Sequence, residues 1–123
     1  MNLANLKPFM IQKSVIPKIL SRFSPIEINA IALFPFVFSR GEMTESTKRH
    51  ETIHFQQQLE TFVIFFYLIY LWDYFKARVL LGLSGRESYF VIRAEREAYI
   101  YEEDKTYLQN RARWAWLRTG GVK

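Results

Sequence analysis

The sequence predicts a mainly helical α+β fold in one domain, residues 1–123, and three observations predict it. From about Ser46 to about Lys76 there is no Gly and no Pro, so nothing breaks a helix. A second helical run extends from about Ser88 to Leu108. Ahead of the first run stands IALFPFVFS, residues 31–39, whose β-branched and aromatic residues predict a strand or hairpin.

Taken in order, residues 1–30 form an N-terminal arm. Pro8, Pro17 and Pro25 punctuate it, which predicts short elements joined by turns. Pro35 inside the next segment argues for an edge or bulged strand. RGEMTES then reads as a turn, with Thr44 or Ser46 able to cap the helix that follows. The first half of that helix is polar. Its second half, TFVIFFYLIYLW at 61–72, is apolar on every face and predicts a buried central helix. The alternative is contact with lipid: twelve residues are too few to span a bilayer core, which takes roughly 20, but the tyrosines, Trp72, Lys76 and Arg78 suit a membrane interface. GLSG, residues 82–85, makes a loop, and Arg111–Arg118 a short terminal helix stopped by Thr-Gly-Gly.

Composition narrows the chemistry. Half of the residues are hydrophobic and 17% are aromatic, which is a globular and not a disordered balance. Lys and Arg number 17 against 12 acidic residues, a net charge of +5. That excess favours anionic partners without naming one. Cysteine is absent, so disulfides and thiolate metal sites are excluded and any metal must be held by nitrogen and oxygen. Lys7, Lys13 and Lys18 interrupt the N-terminal apolar stretch before a signal-peptide core can form, so a cytoplasmic location is expected.

The stretch RHETIHFQQQLE, residues 49–60, carries the candidate site. His50 and His54 are the two histidines of the chain, and residues i and i+4 of a helix share a face, so both imidazoles can turn toward one ion. Glu51 is rotated by about 100° from His50, out of the ligand set yet within reach of water on the metal. This is the HExxH arrangement of a zinc site. The plainer reading is two histidines in the core or in solvent.

Two histidines leave zinc short of a protein ligand, and with no third His the remaining one must be a carboxylate. IRAEREAYIYEED, residues 92–104, offers Glu95 and Glu97 first, then Glu102, Glu103 and Asp104. Glu95 and Glu97 differ by about 200° of rotation, so they cannot both face the metal. Glu95 shares a face with Ile92 and Tyr99 and is preferred. Glu97, beside Arg93 and Arg96, is the alternative ligand, otherwise expected on a solvated face with Arg partners. Gln57 and Gln58 lie near the histidine face, to contact substrate, to order a ligand, or simply to line an exposed turn.

HETIH followed by EREAY resembles the two-helix core of the gluzincin metallopeptidases, whose second helix commonly carries Glu-x-x-Ala-Asp or Glu-x-x-Ala-Asn. Glu95 aligns with the ligand, and Tyr99 stands where that signature has Asp or Asn to orient a metal-bound histidine. A closer resemblance is to small HExxH proteins encoded by bacteria and some of their phages. These share an LFPF-like strand, an HExIHxxQQLE-like helix running into an apolar aromatic stretch, and an EREAY segment continuing to YL and Arg. The corresponding residues here are Leu33–Phe36, His50–Glu60 and Glu95–Arg111, within a core spanning 31–118.

The resemblance implies a minimal gluzincin-like core: two long helices carrying HExxH and Glu, with a short edge strand or hairpin before the first. It implies Zn2+ on His50, His54 and Glu95, Glu51 as general base, and a peptide or protein substrate. Tyr99 would hydrogen-bond a metal-bound histidine or face the substrate. The rival expectation is a structural or assembly protein with a vestigial site, such as a phage virion component or a membrane-associated subunit. In that case segment 61–72 would mediate a homo-oligomer, a larger assembly or contact with a membrane surface. RARWAWLR, residues 111–118, interleaves Arg with Trp in a way that can meet nucleic acid, but packing is the expected role.

Overall fold

A computed structural model of the chain describes residues 6–24 and 26–121. Among the described residues it is a mixed α+β fold, with seven α-helices and a three-stranded sheet. β1 (Phe9–Ile11) and α1 (Ile16–Ser21) make up the arm. β2 (Ala30–Leu33) and β3 (Phe36–Ser39) are the two arms of a hairpin turning at Phe34–Pro35. The segment expected to be one strand is therefore two, because Pro35 sits at the turn and not within a ladder.

The sheet order is β1-β3-β2, with β1 parallel and β2 antiparallel to β3. Val37 of β3 packs with Ala32 and Met43 in a small core under the sheet. Arg40 ties the arm down: its guanidinium donates to the Ile28 carbonyl, to Glu27 and to Ser21 Oγ.

α2 (Glu45–Glu60) begins where Thr44 accepts a hydrogen bond from the Thr47 amide, as an N-cap should. The long helix expected from Ser46 to Lys76 does not continue past Glu60. Phe62 and Val63 both take positive φ, 54° and 66°, which is a costly conformation for a β-branched valine, and the Val63 amide folds back onto the Gln58 carbonyl. α3 (Ile64–Phe75) follows this break and ends in a π-helical turn, Lys76–Leu80.

The expectation of a buried central helix at 61–72 is overturned. In α3 only Phe66 and Asp73 are buried, and Leu68 and Leu71 are 56% and 63% exposed. The central buried helix is α2, where every residue from His50 to Gln58 is buried. No helix among the described residues is long and apolar enough to cross a membrane.

The second long helix is also divided. α4 (Gly85–Phe90) opens with a full capping box between Ser84 and Glu87, so it starts inside the expected loop. The chain becomes extended at Ile92, a fully buried residue, and restarts as α5 (Arg93–Tyr101). Asp73 of α3 marks this junction by accepting from the Arg93 amide and from its guanidinium. α6 (Tyr107–Asn110) and α7 (Ala115–Arg118) close the fold.

Phe66, Ile92, Ala94 and Trp116 form the core between α3, α5 and α7, while Ile53, Ala98 and Tyr107 join α2 to α5 and α6. Trp116 is thus a core residue, as packing required. Beyond α7 the chain turns at Gly120 and Gly121, both with positive φ. A Cβ on Gly121 would lie 2.6 Å from the Arg93 carbonyl oxygen, so only glycine fits there.

Candidate metal centre

The site is built where α5 lies along α2. The one-turn spacing of His50 and His54 puts both rings on the face of α2 that meets α5, edge to face with centroids 4.9 Å apart. Glu95, in the first turn of α5, projects between them. Its Oε1 lies 3.2 Å from His50 Nε2 and 3.0 Å from His54 Nε2. All three side chains are buried, and among the described residues they are the one His/Cys/Asp/Glu cluster able to hold a metal.

The donor set fits zinc. Tetrahedral coordination with bonds of about 2.0–2.1 Å puts neighbouring donor atoms about 3.3 Å apart, close to the spacing of Glu95 Oε1 from each imidazole.

Around these donors a further set of groups fixes their orientation. His54 Nδ1 donates to Gln57 Oε1 at 2.8 Å, which leaves Nε2 aimed at the site. The Gln57 amide nitrogen donates in turn to Glu97 Oε1 and to the Ala94 carbonyl. His50 Nδ1 faces Glu102 Oε1 at 3.5 Å. The free oxygen of Glu95, Oε2, accepts from the Tyr70 hydroxyl at 2.6 Å. Each of the three donors is therefore held from behind by a different element.

Charge follows from this packing. Burial would lower both histidines, but the carboxylates of Glu95, Glu102 and Glu51 outweigh it and push His50 up to about 10. His54 is raised in the same way by Glu95. Burial would raise Glu95, yet the facing imidazoles hold it well below the usual carboxylate range. Glu51 goes the other way: burial raises it, and the two histidines only partly offset that. The facing carboxylates thus favour the protonated form of both histidines.

Glu51 lines a cavity of about 640 Å³ together with His50, His54 and Glu95. Its Oε2 is buried without a hydrogen-bond partner in the structure. An unpaired buried carboxylate oxygen costs free energy, and Gln58 Oε1 of the same helix is likewise without a partner in the structure. Residues 30–33 of β2 line another wall of the cavity, and among the described residues β2 pairs only with β3.

The remaining sequence candidates divide. Gln57 orders a histidine and does not face the cavity. Gln58 donates to the Ala32 carbonyl at 3.0 Å and touches neither histidine. Neither stands on an exposed turn, since both are fully buried. Tyr99 packs its ring edge-on against His50, 4.5 Å between centroids, and its hydroxyl pairs with that of Tyr89 at 2.9 Å.

Glu97, the alternative ligand, is not part of the His50, His54 and Glu95 cluster. It is not on the solvated face expected of it: it is fully buried, bonded to Arg111, Tyr107 and Gln57. The expected Arg partner exists but comes from position 111, neither 93 nor 96. Arg111 also grips Glu60 with two nitrogens, so it is not presented to a nucleic acid.

Tyr70 is the residue that sequence reasoning missed. A signal was present: Tyr67, Tyr70 and Tyr74 recur at helical spacing within the apolar run, marking a hydroxyl-bearing face. Compared with family profiles, curated proteins and solved structures, the chain has no match.

Proposed function

We propose that this protein is a zinc-dependent metallopeptidase with a minimal gluzincin-like core, similar to the small HExxH proteins of bacteria and their phages. The reading rests above all on one observation. Two imidazole Nε2 atoms converge on Glu95 Oε1 beside a cavity that Glu51 also lines.

His50, His54 and Glu95 would hold the ion. Bound zinc supplies Lewis acidity, bringing the pKa of water toward about 7 and polarising a carbonyl. The Glu51 carboxylate accepts the proton of the attacking water and delivers it to the leaving amine nitrogen. Burial raises Glu51, the direction that helps a base that must also act as an acid. Tyr70 Oη keeps Glu95 Oε2 from rotating. Burial also keeps the Tyr89 and Tyr99 hydroxyls protonated, so either can donate to the oxygen of a scissile carbonyl at the cavity wall. An extended peptide would run along the outer edge of β2.

Elemental analysis of the purified chain, paired with a peptidase screen, tests this. We expect about one zinc per chain, lost in His54→Ala. Glu51→Gln should keep the metal and lower turnover by about 10²–10⁴-fold. A wild-type chain that refuses added zinc ends the proposal, and a Glu51→Gln chain that cleaves at the wild-type rate removes Glu51 from it.

A further inference from the structure

Away from the metal centre, α3 and its π-helical turn present a long side that no other part of the described residues covers. Phe65, Leu68, Leu71, Trp72, Phe75 and Val79 are all exposed there, and Phe62 and Leu81 extend the strip at either end. Such a continuous apolar surface marks an interaction site. We propose that this face docks on the surface of an anionic lipid bilayer, with α3 lying flat in the interface.

Charge selects this occupant over a second copy of the chain. From Phe62 to Leu83 the charged residues are Asp73, Lys76 and Arg78. Asp73 is buried and taken by Arg93, whereas Lys76 and Arg78 are exposed. On the adjoining α4, Arg86 is exposed above the Phe90 ring, and the nearby acid, Glu87, is engaged in the capping box of Ser84. A two-fold contact would set the strip against itself and offer its cations no acid from the strip to pair them. Anionic headgroups supply the missing charge, and the apolar side chains would enter the boundary between headgroups and acyl chains.

Trp72 stands exposed at the basic end of the helix, where an aromatic belt meets the headgroups. The helix is too short to cross, so it must lie along the surface. Leu71 belongs both to this face and to the cavity wall, so docking would bring the rim of the cavity to the bilayer.

Co-sedimentation of the full chain with vesicles tests the inference, using phosphatidylcholine alone and phosphatidylcholine mixed with phosphatidylglycerol. The mixed vesicles should pellet the protein at low salt, and pure phosphatidylcholine far less. Replacing both cations, Lys76→Gln with Arg78→Gln, should weaken partition by about 30-fold. Leu68→Glu, an exposed position, should abolish binding while the far-ultraviolet dichroism stays native. Brominated lipid should quench the wild-type tryptophan fluorescence but not that of Trp72→Phe. Absence of binding to the mixed vesicles overturns the proposal, as does binding that Leu68→Glu leaves intact. A lipid-free dimer in sedimentation velocity that Leu68→Glu dissociates would assign the face to a second copy instead. None of these readouts depends on zinc, so the proposal can fail without the metal centre failing, and the reverse.

Discussion

α2 and α3 adjoin in the chain but meet solvent in opposite ways. In α2 the side chains from His50 to Gln58, among them two histidines, a glutamate and three glutamines, are buried. In α3, a helix of aromatic and aliphatic residues, only Phe66 and Asp73 are. The difference teaches that partners, and not hydropathy alone, decided which helix went inside. α2 found them: His54 has Gln57 and Glu95, Gln57 has Glu97 and the Ala94 carbonyl, and Glu60 has Arg111. A buried polar helix is stable only when nearly every group is so matched.

The sharpest way to break that comparison is to remove the partner that two α2-side carboxylates share. Arg111 is 2% exposed and sits between Glu60 and Glu97, which are fully buried as side chains. Arg111→Met would leave two buried carboxylates without their cation and should lower unfolding stability by about 3–5 kcal/mol, read by urea titration. A loss under about 1 kcal/mol would show that pairing is not what keeps α2 inside.

Next in size is a pH effect confined to the metal-free chain. His50 is raised from 6.5 to about 10 in the fold, so its stabilisation is fully present below pH 6.5 and is lost as pH rises toward 10. His54 and Glu51, both raised, act with the same sign, whereas lowered Glu95 withdraws its contribution only on the acid side, below its ordinary 4.5. Chelator-treated protein should therefore lose thermal stability steadily between pH 6.5 and 10. Zinc-loaded protein, its histidines already deprotonated by the ion, should not. Parallel curves for the two forms would mean that the cluster does not exchange protons for metal.

Gln57→Ala is expected to act more gently, because His54 would keep its bond to Glu95 while its Nδ1 and Glu97 each lose a partner. The cost should be about 1–3 kcal/mol in stability, with zinc affinity reduced by about 10–100-fold. Competition against a chromophoric chelator reads the second number. Unchanged affinity would make Gln57 a packing residue only.

How far the sequence carried is clear at particular positions. Helical spacing alone put His50 and His54 on one face, and rotation separated Glu95 from Glu97, because both follow from backbone geometry that any helix shares. The break at Phe62–Val63 was not legible, since no Gly or Pro marks it and its positive φ values are imposed by the fold. The division at Ile92 was hidden for the same reason: its extended backbone answers to the burial of Ile92 and to Asp73, which is distant in sequence. The burial of Glu97 depends on Arg111 arriving from beyond α6, which no local pattern encodes. α3 misled for a different reason. Its two faces differ by tyrosine hydroxyls and not by charge, so a reading that counts tyrosine as apolar sees one uniform helix.

That two-faced reading of α3 sets up the smallest expected effect. Leu68 lies on the exposed side, opposite the Tyr67 and Tyr70 hydroxyls that reach Gln58 and Glu95. Leu68→Gln should change stability in dilute, lipid-free solution by no more than about 0.5 kcal/mol, because the side chain leaves little contact behind. Differential scanning calorimetry at two protein concentrations measures it. A loss of 2 kcal/mol that grew with concentration would mean the face is already covered by another copy, and α3 would then be a buried helix after all. A null effect keeps the contrast with α2 intact and leaves the apolar face free for a partner met outside the monomer.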